Sequence, residues 1–381
     1  MNPPLRFSTT EDWTECQLKD ICEINPSVEK IPDTFQYIDL ESVTNGRLLQ
    51  TIPCCKSSAP SRAKRILSNE DVLFQTVRPY QKNNYFFKSD SNTSVVASTG
   101  YAQLRCTSNS AYFLYTLIHT DSFVNQVLQK CTGGAYPAIT ASSLSTVKIN
   151  IPVVQEQQKI ASFFSTLDQK IELNERKLEA LEKLKKGVMQ KCFNNSDWTK
   201  HQLKDVCKSF SGGTPNSKNR SFYNGEIPFI RSGEIHQNVT ELSVTTEALK
   251  NSSAKLVKKG DLLYALYGAN SGDCDISKIN GAINQAILCI RPESDNTVDM
   301  LFLKEQLFHL KSKITSKYLQ GGQGNLSGRL VMNLSILLPP YVEQLTYSRL
   351  FESFNNKIEV TKQKLLLLQN LKKGFMQQMF V

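Results

Sequence analysis

Two stretches of the chain carry apolar residues at alternating steps of four and three. The first comprises Ile160, Phe164, Leu167, Ile171, Asn174, Leu178, Leu181, Lys185 and Val188, and the second comprises Tyr347, Phe351, Phe354, Ile358, Thr361, Leu365, Leu368, Lys372 and Phe375, each 187 residues later. This spacing forms a heptad seam and predicts two long amphipathic helices that can pair as a coiled coil. The alternative is two unrelated amphipathic helices, each packed on its own core.

Both seams are interrupted by a polar residue at the same place, Asn174 and Thr361. A polar residue in such a seam costs stability but fixes the register and the number of partners. The matched register favours antiparallel pairing of one helix with the other within the chain. It also predicts that Asn174 lies near Thr361.

A proline precedes each predicted helix, Pro152 in one case and Pro339 in the other. Proline ends the preceding strand and presets the first helical turn. At about 1.5 Å per residue, a helix from Gln155 to Phe193 would be roughly 58 Å long. Such a length suits a spacer better than an ordinary globular helix.

The segments outside these helices contain short runs with strand character, bounded by Gly, Asn, Ser and Pro. Residues 35–38 and 71–74 have counterparts at 227–230 and 261–264, and helical stretches follow near 110–130 and 298–318. The fold class is therefore α/β or α+β, with the same order of elements in two similar globular domains. The expected organisation is a first domain at 1–153, a central helix at 154–193, a second domain at 194–340 and a C-terminal helix at 341–381.

The chain repeats itself with a period of about half its 381 residues. Residues 184–193 read LKKGVMQKCF and residues 371–380 read LKKGFMQQMF, while Trp13 and Trp198 each precede a Gln-Leu-Lys-Asp string. The helices are alike in sequence, whereas the globular segments differ greatly in residue identity. Matching scaffolds with diverged modules indicate two modules of different specificity.

The composition of the chain limits the kinds of partner, location and cofactor that we expect for it. The formal net charge of +10 favours a polyanionic partner, above all nucleic acid, although many proteins are this basic for solubility alone. No uninterrupted apolar stretch is long enough to span a membrane, and no apolar signal-peptide core is present, so we expect a cytoplasmic protein. The ten cysteines form no Cys-x-x-Cys pair, and we expect neither a metal nor a cofactor.

Taken in order, these features resemble the specificity subunit of type I restriction-modification systems. The resemblance covers essentially the whole chain and includes the Pro-headed helices with Glu-Gln, the strings Ser-Gly-Gly-Thr-Pro at 211–215, Ile-Pro-Phe-Ile at 227–230 and Asp-Val-Leu-Phe at 71–74, and the Leu-Lys-Lys-Gly helix ends. It implies two target-recognition domains, each reading one half of a split double-stranded DNA sequence, and helices that fix the gap. It also implies docking of two methyltransferase subunits and, in some systems, restriction-translocase subunits, with no chemistry by the chain itself.

Candidate DNA contacts combine cations for phosphates with side chains able to reach base edges. In the first domain they are Arg62, Lys64, Arg78, Tyr80, Lys82, Asn83, Tyr85, Gly133, Gly134 and Tyr136. In the second domain they are Ser211, Gly213, Thr214, Lys218, Arg220, Arg231, Tyr267, Asn270, Gly321, Gly322 and Gln323. The alternative is that the polar strings are solvated turns and the glycines tight connections.

Enzyme signatures are weak in this sequence. It has no Gly-x-x-x-x-Gly-Lys-Ser/Thr loop, so a helicase or translocase motor is not expected. The string Asn-Pro-Pro-Leu at 2–5 lacks the aromatic residue of an adenine methyltransferase motif. The competing hypotheses are a self-contained DNA methyltransferase or nuclease with duplicated recognition domains, and a coiled-coil adaptor with no nucleic-acid role.

Overall fold

The computed structural model describes residues 2–7, 11–27, 30–89, 93–318 and 325–380. Its α-helices are α1 (Ala111–Leu117), α2 (Asp121–Gln129), α3 (Ala141–Ser145), α4 (Val154–Cys192), α5 (Leu203–Val206), α6 (Thr246–Lys250), α7 (Met300–Tyr318), α8 (Gly328–Met332) and α9 (Tyr341–Met379). Short 3-10 helices lie at Leu18–Asp20, Lys56–Ser58, Pro79–Gln81 and Arg220–Phe222.

The strands fall into two groups that flank the long helix α4 in sequence. The first group is β1 (Thr14–Gln17), β2 (Cys22–Ile24), β3 (Thr34–Ile38), β4 (Val43–Thr44), β5 (Arg47–Leu48), β6 (Ile52–Cys55), β7 (Ala63–Ile66), β8 (Val72–Gln75), β9 (Tyr85–Phe86), β10 (Val95–Ser98), β11 (Tyr101–Cys106) and β12 (Lys148–Ile151). The second group is β13 (Thr199–Gln202), β14 (Cys207–Ser211), β15 (Tyr223–Ile230), β16 (Leu242–Val244), β17 (Lys255–Val257), β18 (Leu262–Ala265), β19 (Cys274–Ile276), β20 (Gly281–Ile283), β21 (Ile287–Pro292) and β22 (Ser335–Leu338).

The chain divides into two compact units. Unit 1 is Met1–Glu175 with Gln363–Val381, and unit 2 is Arg176–Lys362. Each long helix therefore contributes one half to each unit. The expected class, mixed helix and sheet with two similar domains and long helices, is confirmed.

The two units share one sheet topology. In unit 1 the orders are β2-β11-β8-β9 and β6-β3-β10-β7, and in unit 2 they are β14-β21-β18-β19 and β16-β15-β20-β17. In the second sheet of each unit one central pair is parallel, β10 with β3 and β20 with β15. An antiparallel ribbon, β1 with β12 or β13 with β22, leads directly into the long helix that follows. The repeat seen in the sequence therefore extends to the order of the strands in the two units.

A buried glutamine joins the start of each long helix to the adjacent domain. Gln157 Nε2 donates to the Pro152 carbonyl at 3.0 Å and to Asn109 Oδ1 at 2.9 Å, and its Oε1 accepts from the Ser110 N–H. Gln344 makes the equivalent bonds in unit 2, to the carbonyls of Pro339 and Thr297 and from the N–H of Asp299. Because a buried amide needs all its partners, this residue fixes the domain on the helix.

An aromatic cluster forms the centre of each core. In unit 1, the ring of Trp13 lies edge-on to Phe113 and Phe380, with centroids 6.1 and 6.2 Å away. In unit 2, Trp198 makes the same contacts with Phe302 and Phe193 at 5.6 and 6.5 Å. Each cluster thus combines a domain residue, a helix-end residue and the tryptophan before the first strand of the ribbon. Truncating such a ring to alanine typically costs about 3–5 kcal/mol.

The long helices pair antiparallel inside each unit, as the heptad seam predicts. In unit 1, Phe163 contacts Phe375, with ring centroids 4.9 Å apart, and Asp168 binds Lys372 at 2.6 Å. In unit 2, Glu182 binds Lys362 at 3.0 Å and Phe193 stacks on Phe351 at 5.7 Å. In both units, later positions in α4 meet earlier positions in α9.

The polar seam residues Asn174 and Thr361 are both buried. Each donates to the carbonyl four residues earlier in its own helix, Asn174 to Lys170 and Thr361 to Lys357, both at 2.7 Å. This local bond satisfies a polar group that would otherwise be costly to bury. The two residues belong to different units, so their proximity to one another stays a prediction.

Candidate nucleic-acid interface

The turn that follows β8 contains four of the candidate DNA contacts and has an unusual backbone. Arg78 and Lys82 both adopt left-handed conformations, with φ of 55° and 54°, around the Pro79–Gln81 helix. At the equivalent places after β18, unit 2 has Gly268 and Gly272, with φ of 81° and 85°. A left-handed backbone costs about 1–2 kcal/mol at a residue other than glycine. Either the contacts of each basic side chain offset this cost, or the side chain is retained for function.

The contacts of the Lys82 side chain offset the cost of its left-handed backbone. Its Nζ donates to the His119 carbonyl at 2.9 Å and to Asp121 Oδ1 at 2.7 Å, which ties the turn to the start of α2. This bond holds the pKa of the Asp121 carboxyl below its usual range. Unit 2 has an equivalent link with the charges exchanged. There the acidic residue, Asp273, belongs to the turn, and it binds Lys311 on α7 at 2.6 Å. Lys82 therefore positions the turn rather than projecting a free charge.

Arg78 instead projects toward an exposed aromatic ring. The guanidinium carbon lies 4.2 Å from the centre of the Tyr136 ring, and Tyr136 is 64% exposed. The Arg78 N–H donates to the Pro137 carbonyl at 2.7 Å, and Val77 forms a bridge with Ala138. The loop at 132–138 is thereby fixed against the turn.

Glycine allows the sharp path of that loop. Gly133 has a φ of 92°, and a Cβ there would stand 3.0 Å from the Tyr136 carbonyl oxygen. A Cβ on Gly134 would meet nothing within 4 Å, so this residue is open to a partner. Residues 132–136 are exposed, and so is Tyr80 at the tip of the neighbouring turn. Arg78, Tyr80, Gly134 and Tyr136 are thus on adjoining, accessible segments.

The remaining candidates of unit 1 divide between exposed and structural positions. Arg62 and Lys64 are exposed, and the Arg62 carbonyl accepts from the Thr99 N–H at 2.9 Å. Asn83 Oδ1 accepts from the Asn45 N–H at 3.0 Å, which attaches the turn to the β4–β5 hairpin. Tyr85 lies in β9 opposite Leu73.

Arg65 follows the exposed cations Arg62 and Lys64 in the sequence and differs from them in being partly buried. Its Nε is buried and finds no acceptor among the described residues, and burial lowers the pKa of its guanidinium. Unit 2 has an exposed lysine, Lys255, at the equivalent strand position opposite Ile283. The strand register identifies the two as counterparts, because their partners Ala97 and Ile283 lie opposite Ile38 and Ile230 in the adjacent parallel strands.

The Ser-Gly-Gly-Thr string of unit 2 is built for close packing. A Cβ on Gly212 would lie 1.8 Å from the Ile283 carbonyl oxygen, and one on Gly213 would lie 2.5 Å from Ser253 Cβ. Ser211 ends β14, and Thr214 Oγ1 donates to Gln285 Oε1 at 2.7 Å. The glycines let two strand ends approach, which accounts for them without a phosphate.

Three other candidate DNA contacts of unit 2, Arg231, Tyr267 and Asn270, already contact residues of the protein. Glu234 and Glu241 bind the guanidinium of Arg231 and raise its pKa. Tyr267 forms a bridge with Asn325, and Asn270 Nδ2 lies 3.5 Å from the Ser232 carbonyl.

Lys218 and Arg220 are exposed beside the 3-10 helix Arg220–Phe222. The candidates Gly321, Gly322 and Gln323 lie outside the described residues. The structure therefore brings Asn270 close to Ser232 and Gly233, and leaves Lys218 and Arg220 on a separate stretch of unit 2.

The described residues contain no group of three or more His, Cys, Asp or Glu side chains that could hold a metal ion. Burial raises the pKa of the Cys192, Cys207 and Cys289 thiols to about 12, so these are protonated and poor nucleophiles. Within the same residues, no helix is both long and apolar enough to cross a bilayer.

The comparisons with known proteins agree on one family. The family model for the type I restriction modification DNA specificity domain matches twice, at residues 10–183 and 195–370. The chain is 22% identical to the specificity subunit of the type I restriction enzyme HindI from Haemophilus influenzae, over 95% of this chain and 99% of that protein. It is 23% identical to the putative MjaX specificity subunit from Methanocaldococcus jannaschii, over 96% and 92%.

Solved structures share the fold. The type I restriction-modification S subunit from M. genitalium has a TM-score of 0.68 at 15% identity, covering 100% of this chain and 99% of its own. A chain from a structure of a type I restriction-modification system has a TM-score of 0.54 at 21% identity, covering 97% and 98%. At these identities the likeness is one of fold.

Proposed function

Because the chain belongs to the type I restriction modification DNA specificity family, we propose that it is the non-catalytic DNA-recognition subunit of a type I complex. Each recognition domain, 1–153 and 194–340, reads one half of a bipartite double-stranded target. The helices set the gap between the half-sites and dock two methyltransferase subunits, to which restriction-translocase subunits are added in a complete system. The two units share one sheet topology and present different side chains, and this is the observation that carries the proposal.

The turns after β8 and β18 supply the best evidence for two different half-sites. They occupy the same place in the fold and have left-handed residues at the same positions. One reads Arg-Pro-Tyr-Gln-Lys and the other Gly-Ala-Asn-Ser-Gly, at 78–82 and 268–272. A duplicated scaffold with such different hydrogen-bonding groups suits two unequal base sequences.

Repeated apolar pairs on the long helices support two copies of one protein partner. Leu173 and Val360 are equivalent positions, 67% and 63% exposed, and Leu184 and Leu371 are a second equivalent pair, 56% and 43% exposed. The ion pair of Asp168 with Lys372 places Leu371 within about one turn of Leu173 along unit 1. The pair of Glu182 with Lys362 does the same for Val360 and Leu184 in unit 2. Each unit thus carries a similar apolar patch, as binding of two identical subunits requires.

The charge distribution suits a subunit that binds DNA with the help of partners. The net charge of +10 is moderate for 381 residues, and Lys82 and Arg231 already neutralise protein carboxylates. We therefore expect the isolated chain to bind DNA weakly and with a steep salt dependence. Tight, sequence-selective binding by the chain alone at high salt would contradict this.

The test is single-molecule sequencing of DNA that has been methylated by this chain assembled with its methyltransferase. The expected result is one bipartite motif with a fixed gap. Replacing residues 12–150 with the matching segment of a related subunit should change only one half of that motif. A change in both halves, methylation without sequence preference, or methyl transfer by the purified chain alone would refute the proposal.

A further inference from the structure

Arg78 occupies a position that favours glycine. It lies seven residues after Asp71 at the head of β8, as Gly268 lies seven residues after Asp261 at the head of β18. In both turns the residue three positions later donates its N–H back to the carbonyl, Gln81 to Arg78 at 3.0 Å and Ser271 to Gly268 at 3.1 Å. The backbone requirement is thus the same, and only unit 2 meets it with the residue that adopts it freely.

No structural contact accounts for the arginine side chain. Lys82, the other left-handed cation of this turn, forms an ion pair with Asp121, but Arg78 has no carboxylate within ion-pair distance among the described residues. Its guanidinium instead lies over Tyr136, whose ring is itself mostly exposed. An observed backbone outlier of this kind points to function when its side chain does not stabilise the fold.

We propose that Arg78 reads a guanine in the half-site of the first recognition domain, with Tyr136 as the platform that orients it. This inference rests on the proposed function. A guanidinium presents two parallel N–H donors that match guanine O6 and N7 in the major groove, the commonest specific arginine contact with DNA. Stacking on Tyr136 restricts the side chain before DNA arrives, so less conformational entropy is lost on binding.

The surroundings of Arg78 fit base reading better than phosphate neutralisation. The turn is fastened on both sides, by Lys82 to α2 and by the Arg78 N–H to Pro137, so the guanidinium has a defined direction. A phosphate contact requires charge but little direction, and the exposed Arg62 and Lys64 supply such charges. At the equivalent position of unit 2, Gly268 has no side chain, so the second half-site must be read by other groups.

The test uses the assembled methyltransferase complex with Arg78→Gly, Arg78→Lys and Tyr136→Ala. Glycine preserves the left-handed turn, and lysine preserves the charge but removes the paired donors. Methylation is measured on a DNA library in which every position of the motif is varied. We expect Arg78→Gly and Arg78→Lys to lose about 10- to 100-fold of the preference for guanine at one position of one half-site, with the other half unchanged. Tyr136→Ala should weaken the same preference.

Lys64→Ala is the comparison variant for a phosphate contact, with an expected loss of methylation that is uniform across sequences. The same uniform loss for Arg78→Gly, with a shallower salt dependence, would overturn base reading by Arg78, as would an unchanged motif. Thermal unfolding of Arg78→Gly should show no loss of stability, which separates a specificity effect from misfolding. If the unmodified complex gave no bipartite motif, the proposed function itself would fail.

Discussion

Single residues in this protein show how burial decides which charged groups are available. His119 follows α1 and contacts the Arg78 turn through its carbonyl, which accepts from Lys82 Nζ. Its Nδ1 donates to the Tyr115 carbonyl at 2.7 Å. Burial lowers the pKa of the imidazole to about 4. The ring is therefore neutral at physiological pH, and it supports the turn without adding positive charge beside the candidate DNA contacts.

Replacing His119 with asparagine should flatten the pH dependence of stability. Between about pH 6.5 and pH 4 the unfolded chain binds a proton on His119 that the folded chain does not, so the free energy of unfolding falls as the pH falls. From pH 7 to pH 5 this effect amounts to about 1–2 kcal/mol in the unmodified protein and is absent in His119→Asn, whose amide can still donate to Tyr115. Urea unfolding at each pH measures it, and parallel curves for the two proteins would contradict the assignment.

The buried carboxylate Asp71 should depend strongly on its arginine. Arg105 binds it with two hydrogen bonds of 2.8 Å, and the Asp71 side chain is fully buried. Arg105→Ala should lower the free energy of unfolding by about 2–3 kcal/mol, less than for a fully buried pair because 32% of the Arg105 side chain is exposed. Lys148→Ala breaks an ion pair exposed on both sides, with Glu15, and should leave the melting temperature unchanged. Equal effects of the two variants would refute the role of burial.

At the scale of elements, the long helices combine an inner seam with an outer apolar surface. Their inner faces are held by ion pairs inside each unit, such as Lys185 with Glu305 at 2.8 Å in unit 2. Asn355 joins that pair and occupies the place that Asp168 holds in unit 1. The same lysine position is thus neutralised by the facing helix in unit 1 and by α7 in unit 2. The outer apolar positions have no such role within the fold and remain available to a partner.

Changing the outer positions should alter stoichiometry without altering the fold. The double variant Leu184→Glu with Val360→Glu places charges on the exposed patch of unit 2 and should remove one of two methyltransferase subunits. Native mass spectrometry of the assembled complex would then show one subunit bound instead of two. Lys177→Ala, an exposed polar position on α4, should leave two bound. Retention of both subunits by the double variant would place the docking surface elsewhere.

At the scale of the whole molecule, segments that are far apart in sequence, near residues 5–13 and 378–380, meet inside unit 1. The Leu5 N–H donates to the Gln378 carbonyl at 3.0 Å, and Trp13 packs against Phe380. Unit 2 has the same tryptophan–phenylalanine contact, between Trp198 and Phe193, but there a continuous linker joins the two residues. Residues near 5–13 therefore contact the end of α9 in unit 1, as Trp198 contacts Phe193 in unit 2.

A circular permutant should fold to the same structure. Its design joins residue 380 to residue 2 through a short linker and opens the chain between Asn194 and Asn195. We expect an unchanged helix content by circular dichroism, a melting temperature within a few degrees, and the same methylation motif when it is assembled with the methyltransferase. A permutant that is unfolded, or that changes the motif, would show that the linker in unit 2 has a role its counterpart lacks.

Periodicity along the chain is enough to predict the helices, their antiparallel pairing and the duplicated α+β domains. A heptad seam and an alternating strand are local patterns, and the repeat compares one half of the chain with the other. The candidate DNA contacts Arg78, Lys82 and Arg231 look alike by the same local criteria, as cations in polar turns. Their roles depend on partners that the fold brings close, such as Asp121 for Lys82, 39 residues away, and Tyr136 for Arg78.

Distance in sequence is the physical reason why periodicity predicts the helices and domains but not the roles of these cations. Short-range spacing specifies which face of an element is apolar, and burial of that face determines the architecture. Whether a charge is neutralised depends on an acceptor within about 4 Å, and sequence spacing does not encode that distance. The folded structure therefore separates the cation that holds a turn from the one that faces outward, and it identifies Arg78 by the left-handed backbone that its counterpart Gly268 adopts freely.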